Sequence, residues 1–214
     1  MGDARRFADR TAAGEALAAE LGERGVDADV VLAIPRGGLP LGRAVADALD
    51  APLDVAVAKK IGAPNNPEFA LGAVATDGSV WRNEDALGGV GPDEEYFQHE
   101  RERMAAAARE KAARYRGDRP EPELQGRTVV LVDDGVATGS TAMACLAMIR
   151  AQDPERVILA VPVGPPDTVA DLRKQADEVV CLEIPGSFFG VGQFYDRFDQ
   201  VTDEEAMTYL EWDR

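Results

Sequence analysis

The chain has 214 residues, 45% of them hydrophobic, which excludes a disordered polypeptide and suits one α/β domain with a substantial core. Its formal charge is −16 at pH 7 with a pI near 4.5, a field that repels nucleic-acid phosphates and anionic membranes, so neither is an expected partner. The same field repels a polyphosphate ligand, which would need a site that collects local cations or a metal.

Residues 11–24 have helical spacing, with Leu17 and Leu21 on one face and Gly25 as a stop. Residues 30–34 read as a buried strand that ends in Pro35-Arg36-Gly37-Gly38, and a helix follows to about Leu49. Two glycines after a strand permit close backbone approach to a ligand. Arg36 places a cation at the C-terminal edge of the sheet, where open α/β sheets bind ligands. Taken alone, Arg36-Gly37-Gly38 reads equally as a tight strand-to-helix turn. Residues 53–58 predict a strand running into Lys59 and Lys60, either a solvated lysine pair or cations for phosphate. Residues 61–68 are rich in turn formers, 69–75 resume a strand, and 76–79 turn it back towards Val80 and Trp81 as a hairpin. Residues 92–116 form a long, charged, Ala-rich helix with Glu/Arg pairs at helical spacing. The only histidine, His99, sits there among Glu95, Glu100 and Arg103 and is read as exposed rather than catalytic. Residues 117–125 form a loop and carry no second domain boundary.

The most informative stretch is 129–141, VVLVDDGVATGST. Four apolar residues, Val129 to Val132, predict a strand buried on both faces. Asp133 and Asp134 follow, then Gly135, Ala137, Thr138, Gly139, Ser140 and Thr141, with a helix opening at about Ser140. Small residues let the backbone curl until several N–H groups face one cup, and hydroxyls and the helix N-terminus add donors and positive potential. That is a phosphate cradle, and carboxylates beside it suit vicinal sugar hydroxyls. The competing reading is an ordinary strand–turn–helix in which Asp134 and Thr138 cap the helix. A P-loop is excluded, because Ser140 and not lysine follows Gly139. A helix at 142–151, a strand at 157–163, a helix at 167–175 and a strand at 178–182 complete an alternation that requires right-handed crossovers and a parallel sheet. Residues 184–198 concentrate aromatics and glycines, either a surface for stacking on a planar ring or a satellite hydrophobic cluster. Residues 201–212 form an acidic terminal helix.

Cys145 and Cys181 lie far apart in apolar contexts and are expected to be free thiols in a reducing compartment. The N-terminal segment is interrupted by Glu15 and Glu20 and does not read as a signal peptide, and no apolar run has the length of a membrane span. A cytoplasmic location is expected. The excess of Asp and Glu is spread along the chain and lysine is scarce, as in proteins kept soluble at high salt, so a halophilic source is a further expectation.

The 129–141 stretch closely resembles the phosphoribosyl pyrophosphate (PRPP) signature of type I phosphoribosyltransferases. The resemblance implies a single-domain α/β fold over residues 1–214: a twisted, mainly parallel sheet flanked by helices, with a core at about 11–182 and a small hood from about 183–201 plus the terminal helix. It implies that Asp133 and Asp134 hold the ribose hydroxyls and, with them, Mg²⁺, while Ala137, Thr138, Gly139, Ser140 and Thr141 bind the 5′-phosphate. Arg36, Gly37, Gly38, Lys59 and Lys60 then fall where pyrophosphate is bound, with Lys60 assigned a catalytic part beneath a lid over 61–68. Phe188 or Phe189 would stack on the acceptor base and Asp196 would follow it, as in the hood of 6-oxopurine enzymes; Glu68 and Asp196 are candidate proton acceptors. Two positions depart from that group. Ala137 stands where a base-contacting carboxylate is expected, and Gly164 stands near the expected ring-reading lysine. The implied activity is Mg²⁺-dependent phosphoribosyl transfer from PRPP to a purine-like base with release of pyrophosphate. The alternative is a non-catalytic PRPP- or nucleotide-binding regulator on the same fold. A homodimer is compatible with either.

Overall fold

Uninterrupted runs of Val, Ile, Leu and Ala build a five-stranded parallel sheet at the centre of the computed structural model, which describes residues 6–83 and 94–210, the side chains of Pro67 and Glu68 excepted. Helix α1 (Arg10–Glu23) precedes β1 (Val30–Ala33), and α2 (Gly38–Ala48) connects it to β2 (Leu53–Val55). A three-stranded antiparallel sheet follows, made of β3 (Ala58–Ala63), β4 (Asn66–Ala75) and β5 (Val80–Arg82). Helix α3 (Glu94–Arg116) leads back to β6 (Thr128–Val132), α4 (Ser140–Arg150), β7 (Arg156–Val163), α5 (Pro166–Leu172) and β8 (Glu178–Glu183). A 3₁₀ turn (Val191–Phe194) and α6 (Asp203–Thr208) complete the described chain. The expected start of α3 at 92–93 and the end of the terminal helix at Trp212 lie outside the described residues.

The parallel sheet has the order β2-β1-β6-β7-β8. Alternate residues of its strands enter two different cores, since successive side chains point to opposite faces. Val31, Ala33, Val130, Val132, Ile158 and Ala160 pack under α1 and α2. Val30, Leu32, Val129, Leu131, Val157 and Leu159 pack under α4 and α5. Burial on both faces explains why these strands are continuous apolar runs.

The segment after β2 differs from the expected single strand and loose loop. The strand ends at Val55, and Lys59 and Lys60 already belong to β3, where they pair with Val74 and Ala73. Most of 61–68 is paired backbone: Ile61 faces Gly72, Gly62 faces Ala70 and Ala63 faces Asn66, with the register shifting on both sides of Gly62. Glycine at an irregular register lets the ribbon bend, so the turn-forming composition here marks a bulged hairpin.

Candidate active site

The strand order reverses direction between β1 and β6: β2 lies on one side of β1, whereas β7 and β8 follow outward from β6. Open α/β sheets form a crevice for ligands at such a point, beyond the C-terminal ends of the strands. The two strands end level, with Ala33 paired to Val132. The two loops singled out from sequence therefore emerge side by side.

They also touch. The first opens with a cis peptide between Pro35 and Arg36. A Cβ added at Gly37 would lie 2.0 Å from Oδ2 of Asp134, and one at Gly38 would lie 2.8 Å from the Val132 carbonyl oxygen. Gly37 is required by the approach of the Asp134 carboxylate and not by its φ of −60°, and Gly38 by the backbone at the end of β6. The reading of Arg36-Gly37-Gly38 as a mere turn gives way to a loop moulded against the acidic pair.

Asp133 accepts a hydrogen bond from the Asp134 amide over 2.9 Å. Asp134 is held from two further directions. Arg10 Nε donates to its Oδ2 over 2.8 Å, and the Tyr195 hydroxyl donates to its backbone carbonyl over 2.6 Å. Arg10 is itself fixed by a 2.7 Å hydrogen bond to the Asp199 carbonyl and by the Phe198 ring, 3.9 Å from its guanidinium carbon. Both carboxylates keep part of their surface open, yet protein surrounds them. Burial and the neighbouring Asp134 push the Asp133 carboxyl well above the usual carboxylate range, and burial raises Asp134 against the pull of Arg10. Arg10 and Tyr195 carry no local motif; they meet Asp134 across 124 and 61 residues of sequence.

Asp133 also lines a hollow of about 160 Å³ closed by residues 135–142. Gly139 takes the left-handed conformation (φ 71°) immediately before α4. The Thr138 and Ser140 hydroxyls lie 3.2 Å apart, and Thr168 braces the loop by donating to the Ala137 carbonyl over 2.8 Å. Gly139 is packed as well as turned, since its Cβ would meet Thr168 at 2.8 Å. A hollow lined by hydroxyls at the N-terminus of an 11-residue helix suits a phosphate.

Cations stand on the opposite flank. Lys111, on α3, donates to the Pro35 carbonyl over 3.1 Å, directly beside the glycine loop. Arg36 reaches Asp203 at 4.0 Å, and Asp203 also accepts from the Tyr115 hydroxyl at 2.6 Å and from Arg114 at 3.2 Å. Alternation along β3 puts Lys59 on the face of Ile61, which packs beneath α3, and Lys60 on the face of Ala58, which packs towards α4. The two lysines therefore do not act side by side, and Lys59 is the one whose charge bears on Lys111. Neither Lys111 nor Asp203 was singled out by sequence, because a lysine in a charged helix and an aspartate at a helix start look like ordinary surface.

The aromatic segment rests on the site through Val191, whose side chain a Cβ at Gly135 would strike at 2.6 Å. Phe188 is stacked on Phe194 with ring centroids 5.7 Å apart, whereas Phe189 is 94% exposed. Asp196 lies on the surface, paired with Arg6 at 3.1 Å. The side chain of Glu68 lies outside the described residues. His99 is exposed beside Glu100. Gly164 has no room for a side chain, because its Cβ would lie 2.5 Å from Val136.

Among the described residues, no group of three His, Cys, Asp or Glu is arranged to hold a metal, and no helix is long and apolar enough to cross a membrane. Two adjacent carboxylates, both raised above the usual range by burial and Asp133 also by its neighbour, are hard oxygen donors of the kind that suit a hydrated Mg²⁺.

Comparison with known proteins agrees with this geometry. The profile of the family described as "Phosphoribosyl transferase domain" matches residues 7–198. A Mycobacterium tuberculosis protein named "Putative phosphoribosyl transferase Rv0571c" is 43% identical over 205 residues, which is 96% of this chain and 46% of that protein. The chain thus spans about half the length of the curated relatives it matches. The crystal structure of TT1426 from Thermus thermophilus is 45% identical with a TM-score of 0.82, covering 96% of this chain and 97% of that one. AQ2163 from Aquifex aeolicus, 14% identical with a TM-score of 0.52 over 94% of this chain and 85% of that one, shares the fold.

Proposed function

Since the chain belongs to the phosphoribosyl transferase family, we propose that it moves the 5-phosphoribosyl group from PRPP to a planar, purine-like nitrogenous base and releases pyrophosphate. One observation carries the reading. The buried acidic pair, the phosphate hollow and the glycine loop meet at the reversal point of the sheet, with Asp133 lining the hollow and Asp134 against Gly37.

In this reading residues 138–141 fix the 5-phosphate, and Asp133 and Asp134 accept the ribose hydroxyls. The diphosphate on C1 lies over the loop of Gly37 and Gly38, whose missing side chains let that loop sit against Asp134 and the end of β6. Holding both ends aligns C1 with the incoming nitrogen. Cations beside the glycine loop stabilise the negative charge that develops as the C1–O bond breaks. Asp133 and Asp134 would hold Mg²⁺, which supplies further charge neutralisation to the leaving group when bound. Phe189 offers an unpaired aromatic face for the base. Ala137 and Gly164 carry no polar side chain that could single out a 6-oxopurine, so hypoxanthine and guanine are not favoured over adenine.

The test is calorimetry of PRPP with Mg²⁺, followed by pyrophosphate release across a panel of bases. Micromolar PRPP binding and release dependent on a planar base support the transferase. Binding with no release by any base would make the protein a PRPP-responsive regulator.

A further inference from the structure

Two segments from opposite ends of the described chain meet beside the acidic pair. The Phe7 amide donates to the Phe194 carbonyl over 2.8 Å, and the amides of Asp196 and Arg197 donate to the carbonyls of Phe7 and Ala8 over 2.8 and 3.0 Å. The rings of Phe7 and Tyr195, both buried, have centroids 5.7 Å apart. Residues 7–10 and 194–199 thus form one body, and it continues into the aromatic segment. The Gln193 side chain accepts from the Phe189 backbone N–H over 2.9 Å and donates to the Ser187 carbonyl over 3.3 Å.

This body touches Asp134 at two points. The Tyr195 hydroxyl holds the Asp134 carbonyl, and Arg10 holds Oδ2 through Nε while Nη1 of the same guanidinium donates to the Asp199 carbonyl. A rigid planar fork serves both acceptors at once, which the single nitrogen of a lysine does not. Arg10 on one side, and Gly37 on the other, whose added Cβ would lie 2.0 Å away, enclose Oδ2 and leave Oδ1 for a hydroxyl donor. With the side chains of Arg10 and Asp134 only 12% and 15% exposed, little water competes for the contact, so the guanidinium fixes where the carboxylate stands.

We propose that Arg10 is a positioning residue: it sets Asp134 for a sugar hydroxyl, and its second contact, to Asp199, makes the order of residues 195–199 respond to occupancy of the ribose site. The sugar rests on the transferase reading; the bridge from Asp134 through Arg10 to Asp199 does not. A hydroxyl bound to Asp134 narrows the motion of the carboxylate and, through the fork, that of the C-terminal segment. By linkage the coupling runs equally in both directions.

The experiment titrates ribose 5-phosphate and inorganic phosphate into the full chain by calorimetry and follows amide hydrogen exchange at residues 195–199 with and without ribose 5-phosphate. Wild type, Arg10→Gln and Arg10→Lys are compared below each melting transition. Arg10→Gln should weaken ribose 5-phosphate about tenfold, the value of one charge-assisted contact, and leave inorganic phosphate, which needs only the hollow, unchanged. Arg10→Lys should keep most of the ribose 5-phosphate affinity, since its ammonium still pairs with Asp134. Ribose 5-phosphate should slow exchange at 195–199 in wild type and not in Arg10→Lys. Equal losses for both ligands, no loss in Arg10→Gln, an Arg10→Lys variant as weak as Arg10→Gln, or no difference in slowing between wild type and Arg10→Lys would overturn the proposal. If these effects hold but no base releases pyrophosphate from PRPP, the role of Arg10 stands and the transferase reading falls. If wild type binds no ribose 5-phosphate, both fall.

Discussion

Arg10 Nε donates to Asp134 Oδ2 over 2.8 Å, with both side chains largely buried. The arginine begins α1 and the aspartate opens the loop after β6, so one contact joins the first helix to the acidic pair. Because Arg10 also binds the Asp199 carbonyl and lies against Phe198, it ties the C-terminal segment to the same carboxylate. Removing the guanidinium should leave a buried carboxylate uncompensated, at a cost of roughly 3 kcal/mol for Arg10→Gln. Asp134→Asn should recover much of that loss. Urea unfolding of both single variants and the double variant measures the coupling, and purely additive effects would contradict it.

Asp133 sits where function, and not stability, places a charge. Its folded carboxyl titrates above the ordinary range near 4 because of burial and Asp134. A group raised in this way stabilises the fold fully below its unfolded value and loses that contribution as pH rises through its folded value. The ligand-free protein should therefore gain stability as pH falls from neutrality towards 4. Asp133→Asn should raise neutral-pH stability by ~1 kcal/mol and flatten this slope, while abolishing PRPP binding. Asp177 and Asp203, held low by hydrogen bonds from Arg150 and Tyr115, act in the opposite sense at more acidic pH. Denaturant midpoints across pH 4–8 for wild type and variant decide the matter, and identical profiles would refute it.

Two glycine substitutions should separate site from scaffold. Gly37→Ala places a methyl carbon 2.0 Å from Asp134 Oδ2 and must displace the carboxylate. It should cost on the order of 2 kcal/mol and most PRPP affinity. Gly22, inside α1, has nothing within 4 Å of an added Cβ. Gly22→Ala should stabilise by about 0.5–1 kcal/mol through helix propensity alone and leave ligand binding as it was. Melting curves and PRPP titrations read both.

The adjacent phenylalanines should behave differently. Phe188 packs on Phe194, so Phe188→Ala should lower stability by about 1–3 kcal/mol, whatever the acceptor. Phe189 is exposed, so Phe189→Ala should leave the melting temperature in place and raise KM for a planar base. Unchanged base kinetics in Phe189→Ala would remove the stacking surface from the acceptor model.

With a formal charge of −16, self-repulsion opposes the compact state at low ionic strength. If the expectation of a halophilic source holds, the melting temperature should rise from dilute buffer to molar KCl. A stability maximum near zero salt would speak against it.

The fold was largely legible because its signals are local. Val129 to Val132 could only be a strand buried on both faces, and alternation of such runs with helices dictates a parallel sheet. That Asp133, Asp134 and the 137–141 loop shape one hollow was likewise legible, since such a hollow is made by consecutive backbone and hydroxyl groups of one strand–turn–helix. Gly37 and Gly38 were half legible: their sequence marks a close approach, but only the structure names Asp134 as what approaches. Where charge had to be placed, sequence fell short. Lys59 and Lys60 look equivalent in a row, yet strand alternation sends them to opposite faces, and β3 belongs to a second sheet that the turn-rich composition of 61–68 disguised. Arg10, Lys111, Tyr195 and Asp203 reach the site across long stretches of chain from elements whose local patterns are those of ordinary surface or core. A hydrogen-bonded loop is written in adjacent residues. A charge balance is a sum over space, and only the tertiary structure brings its members within range of one another.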